Sequence, residues 1–305
     1  MLLTKLTKVY IAGGGGMLGQ AVYQVFSQKA TVKATDIVIS SPWLEYADVR
    51  VYPELRKSIF DFSPDLIINL AAMTDMEECE VDPENSWLTN ARGSENLALL
   101  ANEIDVPLIY ISTAGIFDGK KEAYNEFDEP NPLSIYSKSK FAGESFVREH
   151  VRRYYVVRAG WMMGGGPILD KKFVNKIYKQ IKAGNRSLMA VDDKIGVPTY
   201  TWDFAEGLLA LAESDLYGVY NQACGGSGSR YDVALEFVKL LGLENKVNVI
   251  RVNSDYFKSE YFSSRPASEI LVSSKLNALG LNRMREWRVS LAEYVFEFSQ
   301  DLAGR

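Results

Sequence analysis

Lys8-Val-Tyr-Ile-Ala-Gly-Gly-Gly-Gly-Met-Leu-Gly19 carries a strand-length apolar run into four consecutive glycines and then into helix-period residues. Glycine is needed where a turn is tight and the backbone must approach a pyrophosphate with no Cβ in the way. The helix that follows turns its free N–H groups toward the negative charge. Two registers fit: Gly13, Gly16 and Gly19 at intervals of three, or Gly14, Gly16 and Gly19 in the commoner dinucleotide pattern. Met17 and Leu18 sit inside this turn and belong with Gly13, Gly16 and Gly19 among the candidate cofactor-binding residues.

Outward from the turn, short apolar runs alternate with helix-length stretches. Candidate strands are Lys8–Ala12, Thr31–Thr35, Asp65–Ala71, Pro107–Ser112 and Tyr154–Arg158. They read as strands buried on both faces. Candidate helices between them are Met17–Ser27, Pro53–Phe62, Glu84–Ile104 and Leu133–His150. Such alternation implies an α/β protein built on a Rossmann, doubly wound parallel sheet. The pattern weakens at Gly164-Gly165-Gly166-Pro167. Residues 1–163 therefore read as the dinucleotide-binding domain and 164–305 as a smaller C-terminal α/β substrate-binding region, with Gly218–Gln222 returning to the sheet as one more strand. No internal repeat or low-complexity tract is visible.

Composition narrows the partners. A net charge of −5 gives no basic excess to neutralise phosphates, so nucleic acid is not expected. No apolar run approaches the roughly 18 residues of a membrane span, and the apolar part of the N-terminus is too short for a signal peptide. Cys79 and Cys224 stand alone, as free thiols of a reducing compartment, which points to the cytoplasm. His150 is the single histidine, so no metal site is expected.

Asp36 ends the second strand, 23 residues after Gly13. A carboxylate there accepts hydrogen bonds from ribose hydroxyls and repels a 2′-phosphate. Ile37 and Val38 follow, with no cation, which favours NAD(H) over NADP(H). Further on, Tyr136-Ser-Lys-Ser-Lys140 places a phenol and an ammonium on one helix face. A nearby ammonium is expected to lower the phenol's pKa from about 10, so that it can hand a proton to a carbonyl oxygen as hydride arrives. The spacing alone proves little, since 17 tyrosines and 19 lysines predict about one accidental match and Tyr178…Lys182 is another. Context separates them. Tyr136 follows the strand that ends in Ser112-Thr113, at the edge where α/β ligands bind, whereas Tyr178 lies in a Lys-rich amphipathic helix beyond the sheet.

These residues together resemble the extended short-chain dehydrogenases, and most closely the dTDP-4-dehydrorhamnose reductases. The likeness runs over nearly the whole chain: Asn69-Leu-Ala-Ala-Met-Thr74, Thr89-Asn90-Ala91, Ser112-Thr-Ala-Gly-Ile-Phe-Asp-Gly119, Val157-Arg-Ala-Gly-Trp161, Asp193-Lys-Ile-Gly-Val-Pro-Thr199 and Ser264-Arg-Pro266 fall in the family's order. The resemblance implies NAD(P)H-dependent reduction of a 4-keto group on a nucleotide-activated deoxysugar. Thr113 would bond the keto oxygen, Tyr136 would protonate it, and Lys140 would assist while holding ribose. Asp48 and Val49 would meet the adenine; Leu70, Ala71, Ala72 and Asn90 would line the cofactor; Thr74 and Trp161 would face the sugar. The family includes dimers, which leaves a homodimer open.

One departure stands out. Where the family has Ser-Thr-Asp-Tyr-Val-Phe-Asp-Gly, this chain has Ala114-Gly115 after the threonine, losing a carboxylate and a phenol. The resemblance therefore names neither the sugar nor the nucleotide. Two rival readings keep the fold: a sugar nucleotide epimerase or dehydratase with bound NAD, and a regulatory subunit that binds cofactor without turnover.

Overall fold

The computed structural model describes residues 7–303, and side chains as far as 298. A seven-stranded parallel sheet forms its centre. Its first six strands are β1 (Lys8–Ala12), β2 (Thr31–Asp36), β3 (Leu44–Tyr46), β4 (Leu66–Asn69), β5 (Leu108–Thr113) and β6 (Tyr154–Ala159). The strand Gly218–Gln222 adds to the free edge of β6, giving the order Gly218–Gln222, β6, β5, β4, β1, β2, β3. The expected strands are present within a residue or two of their bounds, and the run at Asp65–Ala71 is trimmed at both ends to Leu66–Asn69.

Helices cover both faces: α1 (Met17–Ser27), α2 (Tyr52–Phe62), the short α3 (Met76–Val81) and α4 (Pro83–Trp87), α5 (Gly93–Glu103) and α6 (Ile135–His150). The residues of β1 show why both faces need covering. Val9 and Ile11 pack on one side with Val22, Val25 and Phe26 of α1 and with Phe204 and Leu208 of the helix Thr201–Ser214. Tyr10 and Ala12 pack on the other with Leu55 and Ile59 of α2, Leu97 and Leu100 of α5 and Val147 of α6. Each such fully buried side chain stabilises by about 1.5–3 kcal/mol relative to exposure. Without both helical layers the sheet would leave one of these faces in water.

A third apolar cluster belongs to the smaller half. It joins the helices Phe173–Lys182, Arg230–Leu240 and Trp287–Ala303 to the parallel strand pair Ser187–Val191 and Asn248–Val252. Ala114, Ile116 and Phe117, just past β5, pack into this cluster. The chain crosses between halves more than once: Thr201–Ser214 lies against α1, and Leu276 packs beneath the sheet.

Two local features escape the sequence pattern. β3 has three residues and only Leu44 buried, so it leaves no apolar run to read. The expected helix Glu84–Ile104 is split by a wider π-turn at Leu88–Arg92. Sheet order reverses between β1 and β4, and ligands of such sheets bind outside the strands' carboxyl ends at that switch point.

Candidate active site

The glycine turn lies at the switch point. Gly13 adopts φ +82°, and a Cβ on it would fall 2.4 Å from the backbone nitrogen of Ala71. Both Gly13 and Gly14 donate to the Thr35 carbonyl, at 2.8 and 2.9 Å, which locks the turn to β2. A Cβ on Gly19 would meet the Gly14 carbonyl oxygen at 2.1 Å, so α1 and the turn touch only because this residue is glycine. Gly16 is the N-cap of α1; it is exposed and has no side-chain cap, and no acidic residue occupies the first turn. The positive helix end and its N–H groups thus face outward, beside Met17 and Leu18, as a pyrophosphate requires.

The remaining cofactor candidates are held by contacts of their own. The Asp36 carboxylate closes the turn, accepting from the backbone of Gly15 at 2.9 Å and of Val38 at 3.0 Å. Asp48 is paired with Arg50, which holds its carboxyl below the usual range, and Val49 packs under Gly93. The segment Leu70–Ala72 leaves β4 with Leu70 donating to Ala12 at 2.8 Å and Ala71 to the Asn69 side chain at 3.1 Å. Asn90 is wholly buried: its Oδ1 accepts from Met73 N at 2.8 Å, and its Nδ2 donates to Met73 O and Ser139 Oγ at 3.0 Å. It clamps the segment that borders the crevice to α6.

The candidate catalytic groups come from β5 and α6. Thr113 is the last residue of β5, and its Oγ1 accepts from Gly115 N at 3.1 Å. A reciprocal cap at Ser134 and Ser137 starts α6 and brackets Tyr136 in its first turn. Burial pushes the Tyr136 phenol up to about 12; the Thr113 hydroxyl facing it opposes the shift, and the Glu269 charge adds to it. Burial pushes Lys140 down to about 7, with Glu144 opposing. The expectation that the lysine lowers the phenol's pKa is corrected here. Desolvation moves the two groups in opposite directions, and the Lys140 Nζ lies 4.4 Å from the Tyr110 ring centroid.

Below them lies a buried ion pair that sequence reading missed. Glu144 and Arg158 are 0% and 1% exposed; Arg158 Nη2 donates to Glu144 Oε1 and Ser112 Oγ to Oε2, each at 2.6 Å. The signal was available, because Tyr136, Lys140 and Glu144 are four apart on one helix.

The far wall belongs to the smaller half. Trp161 Nε1 donates to Glu269 Oε2 at 2.7 Å, and the Arg230 guanidinium lies 3.7 Å from the Trp161 ring centroid. Thr74 accepts from Lys172 Nζ at its hydroxyl and carbonyl oxygens. Tyr178, by contrast, is a core residue against Phe298. Glu269 and Arg230 carried no local signal: one sits in a two-residue strand, the other opens an ordinary helix.

A glycine cradle at the switch point of a parallel sheet, with Thr113, Tyr136 and Lys140 on the strand and helix beside it, defines a nicotinamide-dependent oxidoreductase of the short-chain dehydrogenase type. Residues 7–300 match the family described as RmlD substrate binding domain, and the chain belongs to that family. It is 31% identical to the spore coat polysaccharide biosynthesis protein SpsK of Bacillus subtilis (strain 168), over 96% of this chain and 99% of the relative. It is equally 31% identical to a dTDP-4-dehydrorhamnose reductase of Mycolicibacterium smegmatis, covering 94% of this chain and 85% of the other. The methionine adenosyltransferase 2 subunit beta of Xenopus tropicalis is 28% identical over 98% of this chain and 90% of its own. Among solved structures, a dTDP-4-dehydrorhamnose reductase from Clostridium acetobutylicum superposes with a TM-score of 0.86 at 32% identity, covering 98% of this chain and all of the other. A dTDP-4-dehydrorhamnose reductase from Bacillus anthracis in complex with NADP gives 0.86 at 28% identity, covering 96% and 99%.

Proposed function

We propose that the chain reduces the 4-keto group of a dTDP-activated deoxysugar, dTDP-4-dehydrorhamnose or a near relative, with Tyr136 as the proton donor. The observation that carries this is the meeting of the Tyr136 phenol and the Thr113 hydroxyl at the carboxyl end of β5. The Gly13–Gly19 cradle and the uncapped α1 terminus fit a dinucleotide's pyrophosphate. A reduced nicotinamide, when bound there, supplies hydride. Thr113 Oγ1 donates to the keto oxygen and fixes its direction. The Tyr136 phenol, at about 12, keeps its proton through the neutral range and gives it up when the carbonyl oxygen becomes an alkoxide. Lys140, one turn further along α6, would hold the nicotinamide ribose.

The same reading assigns 164–305, apart from the segments that return to the sheet, to the sugar. It favours NADH: Asp36 stands at the ribose end of the crevice, and the exposed Ile37, Val38 and Ile39 after it offer a 2′-phosphate no cation. The buried free thiols Cys79 and Cys224 suit a cytoplasmic protein. Among the described residues no helix is long and apolar enough to cross a membrane.

The test is loss of reduced-nicotinamide absorbance with a panel of 4-keto sugar nucleotides, NADH and NADPH compared. Tyr136→Phe should lower kcat by about 100-fold or more; activity equal to wild type ends the assignment of the acid. Asp36→Ala should narrow the NADH preference, and an unchanged ratio ends that part of the reading. A protein that binds cofactor but consumes none with any keto sugar would instead match the regulatory reading. Of the relatives, those named methionine adenosyltransferase 2 subunit beta bring that reading to mind, although Thr113, Tyr136 and Lys140 are all intact here.

A further inference from the structure

Gly115 is buried, and a Cβ on it would make only ordinary contacts, two of them with oxygens that face the site. A Cβ built there would lie 3.4 Å from Thr113 Oγ1 and 3.5 Å from Glu269 Oε1. A carboxylate from 154 positions further along the chain thus stands beside the point where a side chain at 115 would begin. Glu269 is held from two sides. Its strand residue pairs with Gly196, and its Oε2 accepts from Trp161 Nε1 at 2.7 Å. Trp161 is itself fixed between Gly196, where any Cβ would fall 2.3 Å from the indole, and the Arg230 guanidinium 3.7 Å from the ring centroid.

That leaves Oε1 as a positioned acceptor. It accepts no hydrogen bond among the described residues, and it lies on the Thr113 side of the carboxylate. Since one point is 3.4 Å from Thr113 Oγ1 and 3.5 Å from Glu269 Oε1, these oxygens are no more than about 7 Å apart. Two neighbouring oxygens of one pyranose bridge such a span, each at a hydrogen-bond distance of about 2.8 Å from its partner. Burial raises the Glu269 pKa, while Trp161, Arg230, Arg265 and Lys194 oppose that and favour the anion. An ionised acceptor is the stronger reader of a hydroxyl.

Resting on the reductase reading above, we propose that Glu269 is the specificity-determining residue of this site, its Oε1 accepting a hydrogen bond from a sugar hydroxyl next to the carbonyl that Thr113 holds. Glu269 thereby offsets the side chains missing at Ala114 and Gly115, from the opposite wall.

Glu269→Gln is the informative variant. Its carbonyl oxygen can still accept from Trp161, which turns an NH2 donor toward the site in place of the acceptor. Wild type should favour keto sugars that carry the neighbouring hydroxyl over the matching deoxy compounds by about 10- to 100-fold in kcat/KM, the usual worth of a hydrogen bond to a charged acceptor. In the variant that preference should vanish, mainly through KM, with the affinity for dTDP alone unchanged. Calorimetric binding of dTDP-rhamnose against dTDP separates two failures. A sugar-dependent gain in affinity equal in wild type and Glu269→Gln overturns the role of Glu269. A gain that is lost in the variant, in a protein that turns over no keto sugar, supports Glu269 as the sugar reader and overturns the reductase reading alone.

Discussion

Replacing Glu144 by Gln tests the ion pair beneath the candidate catalytic groups. The carboxylate is fully buried; it accepts from Arg158 Nη2 and Nε on one side and from Ser112 Oγ on the other. Gln keeps the shape and removes the charge. Arg158 then remains as a buried cation at 1% exposure whose Nη1 already has no hydrogen-bond partner among the described residues. Breaking a buried pair by removing one charge costs about 3–5 kcal/mol. Arg148 touches Glu144 only at 3.5 Å and is 40% exposed, so its release returns little. With an unfolding entropy of about 2.1 cal/mol/K per residue, a 305-residue chain changes its midpoint by about 1.6 °C per kcal/mol, so Tm should fall by roughly 5–8 °C. Urea unfolding with an unchanged m-value should report the same loss. A loss below about 1 kcal/mol would refute the reasoning, because it would mean that water or a neighbouring group solvates Arg158 in the folded chain.

Gly19→Ala should abolish cofactor binding and lower stability, since the added methyl would overlap the Gly14 carbonyl; cofactor titration by fluorescence and a thermal scan check it, and near-normal affinity would sink the close-contact argument. Asn90→Ala removes three buried hydrogen bonds to Met73 and Ser139, and should cost about 2–4 kcal/mol while raising KM for the cofactor through a loosened Leu70–Thr74 segment. Lys140, at about 7 when folded and ordinarily 10.5, binds fewer protons folded than unfolded between those values. Its contribution therefore makes stability rise with pH across that window, and Lys140→Met should flatten the rise in pH-dependent urea titrations.

The sheet was legible because a parallel sheet buries both faces of each strand, and Lys8–Ala12 or Tyr154–Arg158 can then only read as continuous apolar runs. The glycine turn was legible for an equally local reason: Gly13 and Gly19 answer to steric demands within a few residues of sequence and one strand across. β3 was not, since a strand of three residues with one buried side chain has no period. The site divides along the same line. Thr113, Tyr136 and Lys140 lie on a strand end and the next helix, so order and spacing expose them. Glu269 and Arg230 reach the site only through the packing of the smaller half around Trp161, and no spacing in the chain encodes that meeting.

That division bears on how the site is held. Running down α6, the phenol of Tyr136, the ammonium of Lys140 and the carboxylate of Glu144 follow at one-turn intervals, and Arg158 closes the column from β6. Signs alternate below the phenol, so each charge moderates the desolvation of the next: Glu144 is the group that opposes the fall of Lys140, and Arg158 is the group that keeps Glu144 paired. Weakening the bottom of the column must then be felt at its top. Loss of the Glu144 charge removes the opposition to burial at Lys140, so the lysine in Glu144→Gln should titrate below the wild-type value of about 7. On the proposed mechanism, less of the cation would then be present at neutral pH beside Tyr136. On the proposed mechanism stability and proton transfer would be coupled through one helix face, and a variant that separates them, losing the ion pair's stability with an unmoved pH profile, would show the column to be two independent devices.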